Sequence, residues 1–149
     1  MKIKQLNILI VVLLLSAQFS FSQIREKITV NGIDLDLPPR YLTEVVEMDD
    51  KSNYLRYVYF MDLARESLLK KEYHKTLYYL QYTRNLDSPE YWFYLGITVL
   101  HEGSEDACKK YLKKGFMDLG CWECGEAHEK LFGEKLKFMN KLENDFKID

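Results

Sequence analysis

The stretch Tyr59-Phe60-Met61-Asp62-Leu63-Ala64 returns 32 residues later as Tyr91-Trp92-Phe93-Tyr94-Leu95-Gly96. The overlay continues without a gap. Leu68 falls on Leu100, Thr76 on Cys108, Tyr79-Leu80 on Tyr111-Leu112 and Thr83 on Gly115. Self-similarity at a fixed period of this size marks an array of one supersecondary unit. At the shared apolar positions large overlays large, and Ala64, Thr76 and Thr83 overlay the small residues Gly96, Cys108 and Gly115. A small residue lets two helix backbones approach, while a large residue one turn away fills the space beside it. One such hairpin cannot bury its apolar face alone, so hairpins stack.

Outward from this core, Phe60, Leu63, Ala64 and Leu68 hold helical spacing and predict a helix over 54–71. A second helix over 75–86 buries Thr76, Leu80 and Thr83. Ser88 as N-cap and Pro89 in the first turn start a third over 90–102. Gly103 suits a left-handed cap, a fourth helix follows over 105–119, and Gly120 breaks it. A fifth is expected over 121–132 and, after Gly133, a sixth over 134–147. The stripe Leu136, Met139, Leu142 and Phe146 of that last helix, with polar residues elsewhere, suits the end of a stacked array. Pro89 is the sole proline after Tyr54, as long helices require.

The segment before the helices has a different period. Ile28 and Val30 alternate with polar neighbours, Asn31-Gly32 follows, and Ile33, Leu35 and Leu37 alternate with Asp34 and Asp36. Asn-Gly between alternating runs predicts a short β-hairpin or extended arm. A lone hairpin is marginal in water, so it has to pack on the helices or move freely. Pro38-Pro39 closes it, and a short helix is expected over 41–48.

The chain opens with Lys2 and Lys4, an apolar run from Ile8 to Leu15, and the small residues Ser20 and Ser22 around Phe21. The run falls short of the roughly 20 apolar residues of a spanning helix. This is the pattern of a secretory signal peptide over 1–22, cut after Ser22. The mature chain from Gln23 is then expected to be secreted or periplasmic, with no stable membrane anchor. Losing Lys2 and Lys4 takes the formal charge from −2 to −4, and nothing resembles a basic nucleic-acid footprint.

The two hairpins resemble the tetratricopeptide repeat family and its Sel1-like relative. That family carries a large aromatic near the start of its first helix, then a Leu–small pair. Its second helix carries small, large and small residues in turn. Phe60, Leu63-Ala64, Thr76, Leu80 and Thr83 correspond, with Pro89 following, and Trp92, Leu95-Gly96, Cys108, Leu112 and Gly115 correspond again. The resemblance spans Tyr57 to about Gly120. The offset of 32 is shorter than the family period of about 34, and Thr, Gly and Cys replace the usual alanines. The resemblance implies an all-α fold of stacked antiparallel hairpins: an arm over 23–52, two hairpins over 53–120, and a degenerate third with a capping helix over 121–149. It also implies a concave groove lined by Met61, Arg65, Leu68, Phe93, Ile97 and His101, with Phe60, Leu63, Trp92 and Leu95 turned to the core. Such a floor suits an extended peptide or partner helix. The competing arrangement has the arm or a neighbouring helix filling the groove.

Cys121-Trp122-Glu123-Cys124 is a C-x-x-C, with His128 four residues on and Cys108 on the preceding helix. Three readings stay open. Cys121 and Cys124 can close as a disulfide; the thiols can be free, with Cys108 a buried packing residue; or Cys108, Cys121, Cys124 and His128 can hold zinc. Catalytic signatures are lacking: there is no G-x-S-x-G, H-E-x-x-H or Gly-rich phosphate loop. Acid pairs such as Glu105-Asp106 stand at helix starts, where they favour the positive helix end. The expected function is a non-enzymatic protein–protein interaction module needing no cofactor. The alternatives are a metal- or redox-dependent protein centred on the cysteines, and a small inhibitor or immunity-type protein.

Overall fold

The computed structural model describes residues 25–40, 51–84 and 87–137. The elements are β1 (Lys27–Val30), β2 (Ile33–Asp36), α1 (Lys51–Leu69), α2 (Tyr73–Leu80), α3 (Pro89–His101), α4 (Glu105–Leu119) and α5 (Trp122–Phe132). The molecule is thus mostly helical, with a two-stranded antiparallel hairpin before the helices. The expected signal peptide over 1–22, the helix over 41–48 and the stripe residues Met139, Leu142 and Phe146 lie outside the described residues.

The hairpin turn is where Asn-Gly predicted it. Asn31 has φ 51° and Gly32 φ 79°, the positive values that a two-residue hairpin turn needs. Lys27 pairs with Asp36, Ile28 with Leu35, Thr29 with Asp34 and Val30 with Ile33. Ile28, Val30, Leu35 and Leu37 are buried, so one face of the hairpin is committed to the core.

Helix ends follow local chemistry. Ser88 caps α3 by accepting from the Tyr91 N–H at 3.2 Å, with Pro89 in the first turn. At the other end, Gly103 N–H donates to the Leu100 carbonyl and Ser104 N–H to Val99, both at 3.0 Å. The end of α1 carries the same pair of bonds 32 residues earlier: Lys71 to Leu68 at 2.9 Å and Glu72 to Ser67 at 2.8 Å. Both are Schellman caps with a left-handed residue at their centre, but the first uses Lys71 (φ 59°) where the second uses Gly103 (φ 87°).

Two expected helices differ from the structure. α2 stops at Leu80, where Tyr82 and Thr83 N–H turn back to the Tyr79 and Leu80 carbonyls and tighten the chain out of the α-helix. After Gly133 (φ 72°), residues 134–137 are not helical, so the sixth helix does not begin at Glu134.

Packing runs α1 on α2, α3 on α4 and α4 on α5, and the odd-numbered helices α1, α3 and α5 are neighbours in that order. β1 rests on α1 and β2 on α5, so the hairpin bridges the row across α3. Small residues set the helix crossings. A Cβ on Gly96 would lie 3.3 Å from Leu112 Cδ2, one on Gly115 would lie 2.7 Å from Cys124 Sγ, and one on Gly125 2.6 Å from the Phe116 ring. The three sites join α3 to α4 and α4 to α5.

Candidate functional site

The groove residues are mostly not a surface. Met61, Leu68, Phe93 and Ile97 are buried, and they belong to one apolar cluster with Ile28, Val30, Leu35 and Leu37 of the hairpin. The expectation of an open concave floor is therefore corrected: the N-terminal arm fills it. The physical reason is the hairpin's own need for a partner face. Four apolar side chains on a two-stranded sheet have nowhere else to go.

Arg65 is the clamp for this arrangement rather than a reader of an incoming ligand. Its side chain is 17% exposed and its Nε donates to Glu26 Oε2 at 2.5 Å. Its Nη1 donates to the Pro38 carbonyl at 2.8 Å and to the Tyr94 hydroxyl at 2.6 Å. One guanidinium thus ties both ends of the arm to α1 and α3. Tyr94 is fully buried, and that burial pushes its phenol well above the ordinary range. The Tyr57 phenol is pushed up by burial too. Its hydroxyl lies beside Ser88 and Glu90. His101, the last of the six groove residues, is exposed and stacks on Tyr73 with centroids 3.9 Å apart.

The helix phase also differs from expectation. Phe93 is wholly buried, while Trp92 is half-buried on the outer side with its indole N–H bonded to Asp87. Phe60 and Leu63 are likewise only partly buried.

The cysteine alternatives resolve geometrically. Cys121 and Cys124 form a disulfide within the first turn of α5, and both are fully buried. Cys121 Sγ also accepts from the Cys124 N–H at 3.2 Å, so the bridge serves as the N-cap. Cys108 is a separate buried free thiol, and burial raises it to about 12. His128 sits in the interior with Nδ1 2.9 Å from the Glu134 carbonyl. The proposed zinc set of Cys108, Cys121, Cys124 and His128 does not converge. Among the described residues, no group of three His, Cys, Asp or Glu side chains could hold a metal ion.

The feature that sequence reasoning passed over is an aromatic face on α1, α2 and the turn that follows α2. Phe60 stacks on Tyr82 with centroids 4.5 Å apart, and Arg56 lies over both rings at 5.9 and 5.5 Å. Tyr59 and Tyr79 meet Phe60 at 5.3 and 6.4 Å, and Tyr78 meets Tyr79 and Tyr82 at 5.5 and 5.4 Å. Tyr59 is 61% exposed and Tyr78 54%. The available signal was the i, i+4 spacing of Tyr78 and Tyr82 beside an aromatic-rich α1. No protein-family pattern, curated protein or solved structure matches this chain.

Proposed function

We propose that this chain is a non-catalytic protein-binding module: a short tetratricopeptide-like array, working outside the cytoplasm, that recognises its partner through the aromatic face of α1 and α2. The carrying observation is that face. Tyr59 and Tyr78 expose most of their rings, Arg56 lies over Phe60 and Tyr82, and the five aromatics touch one another. Exposed contiguous apolar patches mark interaction sites, and aromatic and arginine side chains carry much of the energy of known interfaces.

The repeat reading is supported by contacts that recur at the offset of 32. Tyr59–Phe60 and Tyr91–Trp92 are edge-on pairs at 5.3 and 5.0 Å. Phe60–Tyr79 and Trp92–Tyr111 are tilted pairs at 6.4 and 5.6 Å. The twin caps of α1 and α3 add a backbone match. Work outside the cytoplasm is supported by the Cys121–Cys124 disulfide, which oxidising compartments favour.

The test is affinity capture from envelope extract with the wild-type chain and with a Tyr59→Ala/Tyr78→Ala double variant. A partner held by the wild type and lost by the variant, with an unchanged melting temperature, supports the reading. Equal retention by both sinks the aromatic face. The mass of the purified product tests export: a chain starting at Gln23 is expected, and one retaining Met1–Ser22 overturns it.

A further inference from the structure

The two outer edges of the hairpin are unequal. Leu37 N–H donates to the Glu26 carbonyl at 2.8 Å, which makes Glu26 and Leu37 a hydrogen-bonded pair. By alternation, Ile28–Leu35 and Val30–Ile33 are also bonded pairs. The backbone groups of Lys27 and Thr29 on β1, and of Asp34 and Asp36 on β2, therefore point away from the partner strand. On the β2 side α5 packs alongside, and Lys130 Nζ donates to the Asp34 carbonyl at 3.4 Å. On the β1 side no described residue takes the outward backbone groups, and Arg25, Lys27 and Thr29 are all exposed. An unpaired edge of this kind is a template for another strand.

We propose that the outer edge of β1 takes an added antiparallel strand from a partner protein, an extended segment in which acidic residues alternate with apolar ones. The chemistry is legible in β2, which is already such a strand on the inner side. Ile33-Asp34-Leu35-Asp36-Leu37 sets Asp36 against Lys27 (3.7 Å) and Asp34 against Thr29 (2.6 Å), while Leu35 and Leu37 enter the core. A strand on the outer side meets the same side chains, with Arg25 in addition. Its inward face lies over the clefts that flank β1. One, of about 440 Å³, is lined by Glu26, Arg40, Asp62, Arg65, Glu66 and Leu69; the other, of about 350 Å³, is lined beyond β1 and its turn by Lys71, Tyr73, Leu100 and His101. The charges of the first are already matched, Asp62 with Arg40, Glu26 with Arg65 and Glu66 with Lys70, which leaves Leu69 and Tyr73 for apolar side chains. A second copy is a poor occupant, because β1 against β1 sets Arg25 and Lys27 against like charges.

This surface is separate from the aromatic face, so the failure of one reading leaves the other standing. The test is binding of the purified chain to three synthetic eight-residue peptides. The first alternates aspartate and valine, the second has lysine for each aspartate, and the third is the first with N-methyl groups on its aspartate amides. Residues opposite Lys27 and Thr29 must donate their N–H groups to β1, so methylation there is expected to weaken binding at least tenfold. The lysine peptide is expected to bind at least tenfold more weakly than the aspartate peptide, and Lys27→Glu to reverse that preference. Thr29→Pro removes an outward N–H and is expected to cost at least tenfold while the thermal melt stays cooperative. The Tyr59→Ala/Tyr78→Ala variant is expected to bind the aspartate peptide like the wild type. No binding of the aspartate peptide, or equal binding of its methylated form, overturns the proposal, whatever the variants do.

Discussion

The first helical hairpin, α1–α2, and the second, α3–α4, meet the same packing demand with different chemistry. At the closest approach of α3 and α4, Gly96 removes a Cβ so that Leu112 can sit against the backbone. Its counterpart in α1 is Ala64, and there the helices are joined by hydroxyls. Ser67 Oγ and Thr76 Oγ1 are 2.9 Å apart, and Ser67 also donates to the Ala64 carbonyl at 2.9 Å. The same two positions in the second hairpin hold Val99 and Cys108. One interface commits volume and the other commits hydrogen bonds. The hydroxyl-bonded hairpin is also the one with a short second helix, of 8 residues against 15, and with the exposed aromatic face.

The largest expected effect comes from adding volume where the second hairpin has none to spare. Gly115→Leu should cost about 3 kcal/mol in chemical denaturation, because the disulfide beneath it is fixed and Trp92 stands on the other side. The counterpart Thr83 already carries a side chain, and Thr83→Ser should cost about 1 kcal/mol, the loss of one buried methyl. Equal costs at the two sites would dissolve the distinction. A smaller effect belongs to the first hairpin. Thr76→Val removes one of the two partners of the buried Ser67 hydroxyl and should cost about 1 kcal/mol. Ser67→Ala with Thr76→Val removes both partners and should cost less than the sum of the single changes. A double-mutant cycle that finds no coupling would contradict the hydroxyl account.

The caps give a test of about 1 kcal/mol, since a left-handed backbone penalises every residue with a Cβ. Lys71→Gly should raise the stability by that amount and Gly103→Lys should lower it, both read from thermal melts. The smallest effect at neutral pH concerns the phenols of Tyr57 and Tyr94, one from each hairpin. Burial raises both in the folded chain, so the unfolded chain ionises first. Stability should be level below about pH 10 and fall as the pH climbs from there toward the raised native values. Tyr57→Phe should make that fall shallower, because it removes one of the two phenols that the folded chain holds neutral.

Local signals carried the fold and failed at the site, for a physical reason visible in α3. Asn31-Gly32 marked the hairpin because only residues tolerant of positive φ make that turn. Ser88-Pro89, Gly103 and Gly120 marked helix ends because caps are decided within a few residues. Gly96 was legible as a small residue at a helix contact, and its partner there is Leu112. The rotation of α3 was not. Tyr91-Trp92-Phe93-Tyr94 is aromatic all round because α3 is packed by helices on several sides and by the hairpin cluster, and a helix apolar all round has no phase to read. The role of Arg65 was hidden for another reason. Its partners Glu26, Pro38 and Tyr94 lie 39, 27 and 29 residues away, and no periodicity reports a contact across such distances.

The bridge that the hairpin makes between α1 and α5 sets an order of events. β2 rests on a helix that begins about 90 residues later in the chain, and Lys130 reaches Asp34 across a separation of 96. Contacts so distant in sequence form late, because the loop between them has to be closed first. The hairpin, synthesised before all of the described helices, is therefore placed last. Until α5 exists, the apolar side of Ile28, Val30, Leu35 and Leu37 lacks half of its cover, and β1 and β2 both have open edges. A nascent chain of this protein carries an apolar, open-edged hairpin ahead of all five described helices, and every residue up to Phe132 must be made before that hairpin can be put away.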